Sequence, residues 1–168
     1  MNSRGYHYKE KGETMTNINL EQITYNNETE TAYIYFTVPE KFAYYSELLP
    51  ENQGVIIDLG KEVPVVGIEL DGEAAKKIAQ LPNELRCFVK ETDSEGHDYY
   101  SLSLEDKPVK QSISYERIVE VKFLFADDEC SDFIGIEVYS DNPDYIFIQP
   151  KEEKSKGVLK KILGRFGK

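Results

Sequence analysis

From Asn17 onward the chain alternates apolar and polar residues in short runs broken by polar turns, the period of two expected of half-buried strands. Ile18, Leu20, Ile23 and Tyr25 predict a first strand with one slip of register. Asn26 to Glu30 form a polar turn, where Asn tolerates left-handed backbone and bonds its own main chain. Ala32, Ile34, Phe36 and Val38 then alternate with Thr31, Tyr33, Tyr35 and Thr37, which completes a hairpin. A strand around Tyr44–Leu49 leads to Gly54–Leu59, and a turn at Gly60, Lys61 and Glu62 leads into Val63–Leu70. In that last strand Val66, Ile68 and Leu70 share one face, and Gly67 and Glu69 the other. Ala74, Ile78 and Leu81 fall at i, i+4 and i+7 and predict a short helix. Asp71 or Gly72 caps it, Glu73 complements its dipole, and Pro82 ends it.

The second half repeats the first. Gly67-Ile68-Glu69-Leu70 returns 68 residues later as Gly135-Ile136-Glu137-Val138. At the same offset Ile34 and Phe36 become Leu102 and Leu104, and Val55 and Ile57 become Phe123 and Phe125. A second hairpin runs from Cys87–Lys90 through Thr92–Gly96 to Tyr99–Leu104, and the turn Ala126–Asp132 is longer than its counterpart. Tyr145 to Ile148, opened by Pro143, predict an extra edge strand. The expected fold is mainly β, with α+β character only at its margins. Two repeated antiparallel β units pack as a sandwich around a single core, with one short linking helix and a C-terminal amphipathic helix. One unit alone buries little apolar area, so pairing the two closes a core. The expected divisions are a disordered segment at 1–15, a first repeat with its helix at 16–82, a second repeat at 83–150 and a basic tail at 151–168. Met15 is an alternative start.

Three segments carry a resemblance to a known family: Tyr25 to Ile34, Gly54 to Asp58, and Val65 to Leu70. Together they resemble the small bacterial and phage β domains called domain of unknown function 2283. That pattern is Tyr-Asp-x-Glu-x-Asp-x-Leu-Tyr-Ile, then a Val/Ile-Leu-Asp strand, then Val-Gly-Ile-Glu-Ile. The resemblance covers about residues 22–71, with 87–140 as a degenerate second copy. Asn26 stands where the family has Asp, Ala32 where it has Leu, and Gly60-Lys61-Glu62 shortens an acidic turn. The resemblance implies a compact β unit and an antitoxin-like or immunity-like role, or a phage-encoded inhibitor.

Charge narrows the partner. The net charge of the 168-residue chain is −11, but residues 151–168 hold seven basic side chains against Glu152 and Glu153, which leaves −16 on residues 1–150. A body that acidic repels phosphate backbones and speeds encounter with basic proteins, so nucleic acid is excluded as its ligand. The 12 Tyr and 8 Phe suit pleated sheets and exclude disorder for most of the chain. The polar start has no apolar signal-peptide core, and no run approaches the ~20 apolar residues of a membrane span. Cys87 and Cys130 have no metal-type spacing and read as thiols of a reducing compartment. The expected location is the cytoplasm, with the inner membrane face as a peripheral site.

Among chemistry-bearing residues, Glu69 and Glu137 occupy equivalent positions that a two-fold arrangement brings together, or else each is an outward Glu paired to a cross-strand Lys. Paired carboxylates divide acid and base duties only where their environments split their pKa values. Asp127, Asp128, Glu129 and Asp132 form the densest acidic run. Its spacing fails the calcium-loop pattern, so it reads as a solvated loop or an acidic contact surface, and with Glu69 and Glu137 it makes up the expected partner-binding residues. His7 and His97 have no partner at a catalytic spacing, and no phosphate loop, nucleophile elbow or zinc spacing occurs. No catalytic, metal or cofactor residue is assigned, and no enzyme is expected. In the tail, Val158, Leu159, Ile162, Leu163 and Phe166 form one helical stripe, with Lys160, Lys161, Arg165 and Lys168 elsewhere. Such a helix docks back on the acidic body, lies on an anionic membrane or fills a partner groove. The leading expectation is a non-catalytic acidic module that binds and restrains a basic protein. A peripheral membrane adaptor anchored by the tail is the alternative, and a nucleic-acid mimic the third reading.

Overall fold

The computed structural model describes residues 21–148. Two five-stranded antiparallel sheets dominate it. The first comprises β1 (Ile23–Asn26), β2 (Thr31–Tyr35), β3 (Tyr44–Leu49), β4 (Asn52–Gly60) and β5 (Val65–Asp71), in the spatial order β1-β2-β5-β4-β3. The second comprises β6 (Val89–Thr92), β7 (Asp98–Ser103), β8 (Gln111–Tyr115), β9 (Ile118–Phe125) and β10 (Phe133–Val138), in the order β6-β7-β10-β9-β8. Each sheet is a hairpin whose second strand pairs with the last strand of a three-stranded meander, so the strand order of the first sheet is repeated in the second. Helix α1 (Gly72–Gln80) and a 3-10 turn at Asn83–Leu85 join them.

Period two decides which residues are buried. Ile23 faces Ile34, Ile34 faces Ile68, Ile68 faces Ile57, and all four are buried. In the second sheet Leu102 faces Ile136, which faces Phe123, again buried. These inner-face residues form one apolar cluster shared by both sheets, each fully buried side chain contributing about 1.5–3 kcal/mol. Helix α1 adds Ala74, Ala75 and Ile78 to it. Asp71 takes the extended cap position, but its side chain makes no cap bond. Leu81, extended as the residue before Pro82 must be, closes the helix.

Three sequence expectations are corrected here. First, the 68-residue offset fails in one strand. Val55 faces Leu70 and Val121 faces Val138, so Val55 and Ile57 correspond to Val121 and Phe123, an offset of 66. The longer Ala126–Asp132 turn absorbs the two residues, and a slip of two leaves every side chain on its original face. Second, a register shift between Asp58 and Leu59 puts Val65 rather than Val66 in the core. Such bulges re-aim side chains. Third, Tyr145 to Ile148 are turns, not an edge strand. Tyr145 and Phe147 insert between the sheets, with Phe147 stacked on Phe88 at 4.1 Å between ring centroids and edge-on to Phe36 at 5.1 Å. The Ile146 amide donates to the Phe36 carbonyl at 2.7 Å and holds the insertion in place. In the first turn, Glu30 adopts the left-handed backbone (φ 57), while Asn26 acts through its side chain, which accepts from the Glu28 amide at 2.9 Å.

Candidate functional site

The face of the first sheet opposite the core is polar and contains one buried charge. Asp58 projects from β4 onto this face with 4% exposure. The Tyr33 hydroxyl donates to its Oδ2 at 2.7 Å, and the Ser46 hydroxyl donates to its Oδ1 at 2.6 Å. A buried carboxylate without such partners costs several kcal/mol, so the two hydroxyls are what allow Asp58 to sit there. Tyr33 reaches it by lying across Gly67. A Cβ at position 67 would stand 2.1 Å from the Tyr33 hydroxyl oxygen and 2.4 Å from the ring carbon that carries it.

Glu69 shares this face, directly opposite Tyr33 on β2 and Ile56 on β4. Burial, followed by the nearby Asp71 and Asp58 carboxylates, pushes its pKa up. Burial and the bond to Asp58 push the Tyr33 hydroxyl far above its ordinary value, so it keeps its proton and serves as a donor. Tyr25, Tyr35, Tyr44, Glu28 and Glu40 extend the surface into an open groove.

The second sheet lacks this arrangement. By register, Ser101 takes the place of Tyr33 and Leu124 that of Asp58. Glu137 sits on the outer face of the second sheet, between the buried Ile136 and Val138, with Lys122 directly across the strands and the Tyr139 hydroxyl donating to it at 3.1 Å. Because the sheets pack through their opposite faces, Glu69 and Glu137 lie on opposite outer surfaces. The two-fold pairing of these carboxylates is therefore corrected.

The acidic run divides in two. Asp127 Oδ1 accepts from the Ser131 amide at 3.0 Å and the Asp132 amide at 2.9 Å, closing its own loop. Asp132 pairs with Lys77 on α1 and with Lys107 at 2.9 Å. Asp128 and Glu129 are exposed. His97 Nδ1 lies 3.3 Å from Asp93 Oδ2 in an exposed turn. Val158, Leu159, Lys160, Lys161, Ile162, Leu163, Arg165 and Phe166, together with His7, lie outside the described residues. Among the described residues no helix is long and apolar enough to cross a membrane.

Sequence reasoning singled out Glu69 but not Tyr33, Ser46 or Asp58. One available signal was an Asp inside the apolar run Val55–Leu59, with a Tyr two strands away and in phase with it.

The first sheet coincides with the part of the chain that a known family model matches. A family model described as "Protein of unknown function (DUF2283)" matches residues 22–72, which span the first sheet from β1 to β5 and contain Tyr33, Ser46, Asp58, Gly67 and Glu69. The second sheet lies outside that match. The chain is also similar to the uncharacterized protein YuzE of Bacillus subtilis (strain 168), at 26% identity over 136 residues, covering 80% of this chain and all of the relative. No solved structure matches the chain.

Proposed function

We propose that the chain is a non-catalytic module that binds a basic protein and restrains it, in the manner of an antitoxin or immunity protein. One observation carries this reading. Residues 21–148 hold 27 Asp and Glu against 10 Lys and Arg, an imbalance that steers cationic partners and repels anionic ones. The chemistry of the outer face fits it. The Tyr33 proton is committed to Asp58, and Asp58 accepts from two hydroxyls, so neither is poised as a nucleophile or a base. The second sheet acts as a degenerate copy that completes the core.

The test is affinity capture from the native cytoplasm with the full chain, at about 50 mM and about 500 mM salt, which brackets strong and weak screening. The expected result is one or a few partners of basic composition, released at the higher salt. Capture that ignores salt, or no partner at either concentration, overturns the reading.

A further inference from the structure

The groove on the outer face of the first sheet has the lining that an arginine or lysine side chain requires, and its one cation among the described residues is already hydrogen-bonded. Glu28, Glu40, Asp58 and Glu69 line it, and so does Arg86. The Arg86 guanidinium, however, donates from Nε to the Leu81 carbonyl at 2.9 Å and from Nη2 to the Ala79 carbonyl at 3.3 Å. Among the described residues, no Lys or Arg forms an ion pair with Asp58, Glu69 or Asp71. Asp71 stands beside Glu69, and its carboxylate raises the Glu69 pKa both by its charge and by a side-chain hydrogen bond. In the second sheet the equivalent glutamate has Lys122 across from it; in the first, Ile56 occupies that place. Arg86, held by backbone carbonyls, is the one cation among the described residues of the groove lining, so the acidic groups there outnumber it and favour a further cation.

The aromatic lining sets the shape of that cation. Tyr25, Tyr33, Tyr35 and Tyr44 border the same groove, and the Tyr33 and Tyr35 rings meet edge to face at 4.6 Å. Tyr44 is 52% exposed. Tyrosine faces attract ammonium and guanidinium groups, and tyrosines beside carboxylates suit an arginine, which can stack and make forked hydrogen bonds at once.

We infer that this groove is the contact surface for the basic partner, taking an arginine- or lysine-bearing segment of that protein with a cationic side chain between Glu69 and the tyrosines. This rests on the proposed capture of a basic protein and adds where and by what chemistry it occurs.

Fluorescence anisotropy with a labelled arginine-rich peptide tests it on the full chain. One variant, Glu28→Gln/Glu40→Gln/Glu69→Gln, removes three charges from the groove. A second, Glu95→Gln/Asp106→Asn/Glu116→Gln, removes three exposed charges elsewhere. The groove variant is expected to lose about tenfold or more in affinity, as loss of a central contact does, and the other about twofold or less, as rim charges do. Thermal melts of both variants establish that each is folded. Equal losses mean that binding follows overall charge, which overturns the groove and leaves the proposed function standing. No binding by the unaltered chain would instead count against the basic partner itself, unless the full-chain variant Lys160→Glu/Lys161→Glu/Arg165→Glu then binds. In that case the chain's own basic segment occupies the groove, and the assignment to a partner is overturned.

Discussion

The Tyr33 ring lies across Gly67 and delivers its hydroxyl to Asp58 Oδ2 at 2.7 Å, while Ser46 closes the other carboxylate oxygen from the edge strand. Three strands are thereby tied together on the outside of the sheet by side chains alone. The second sheet, with the same strand order, places Ser101 and Leu124 at the corresponding positions. It solves the same packing problem with an apolar residue, so the polar device is not demanded by the fold.

Removing the Tyr33 hydroxyl leaves one oxygen of a buried carboxylate unpaired. Tyr33→Phe is expected to cost about 1–3 kcal/mol, the usual penalty for an orphaned buried acceptor. The double variant Tyr33→Ser/Asp58→Leu, which copies the second sheet, is expected to cost less than the sum of its two single changes, since it removes both ends of one interaction. Urea denaturation of the four proteins supplies the cycle. Strict additivity would mean that the hydroxyl and the carboxylate do not depend on each other.

Gly67 provides space rather than an unusual backbone angle. Gly67→Ala drives a methyl group into the Tyr33 ring, which its bond to Asp58 prevents from swinging aside, and a loss of about 1–3 kcal/mol is expected from overpacking. Shortening the obstruction should remove most of that cost, so Gly67→Ala is expected to cost far less in the Tyr33→Ser/Asp58→Leu background, where no buried carboxylate is orphaned, than in the parent chain. The contrasting case is Gly135, where an added Cβ would meet the Leu102 carbonyl oxygen at 2.5 Å. Backbone blocks that position, so no side-chain substitution should rescue Gly135→Ala.

Much of the fold was legible because period two is a local signal. Ala32, Ile34, Ile68 and Ile57 announced their face in the sequence, and the return of Gly-Ile-Glu-Leu as Gly-Ile-Glu-Val announced the second sheet. What failed depended on non-local events. The bulge that exchanges Val66 for Val65 arises from pairing with β4. Tyr145 and Phe147 read as a strand because alternation alone does not show that Phe36 and Phe88 await them in the core. Glu69 was visible, but the Tyr33–Asp58 bond joins residues 25 apart and needed the β2-β5-β4 order before it could be seen.

Glu69 is held in a setting that disfavours its charge, with burial and the Asp71 and Asp58 carboxylates raising its pKa in the folded chain. A carboxyl whose folded value lies above its unfolded one weakens the fold when ionised, and the penalty disappears as pH falls through the folded value. Glu69→Gln is therefore expected to be more stable than the parent chain at neutral pH, with the difference shrinking on acidification. Paired with the expected loss of peptide binding, this is the trade between stability and function common at recognition sites. Thermal melts across a pH series check it. A constant difference at all pH values would show that the Glu69 charge is not the cause.

Lys77 works in the opposite sense. From α1 it pairs with Asp132, with Glu105 at 2.8 Å and with the Phe133 carbonyl at 2.8 Å, fastening the helix to the second sheet. Lys107 joins the same two carboxylates at 2.9 and 3.2 Å. Hydrogen bonds from these lysines hold Glu105 and Asp132 below their ordinary values of 4.5 and 3.8. A carboxylate whose folded pKa is depressed contributes stability that is complete above its unfolded value and lost as pH drops through the folded one. The chain should therefore lose stability below about pH 4.5 as this cluster is protonated. Lys77→Met, which keeps the stem but removes the charge, is expected to cost about 2 kcal/mol at neutral pH and to flatten that acid slope. Urea midpoints at neutral pH and near pH 3.5 provide the comparison, with about 3.5 chosen to lie inside the protonation range. If the substituted chain shows the same slope as the parent, the acid sensitivity originates elsewhere and the Lys77 cluster is not what couples helix to sheet.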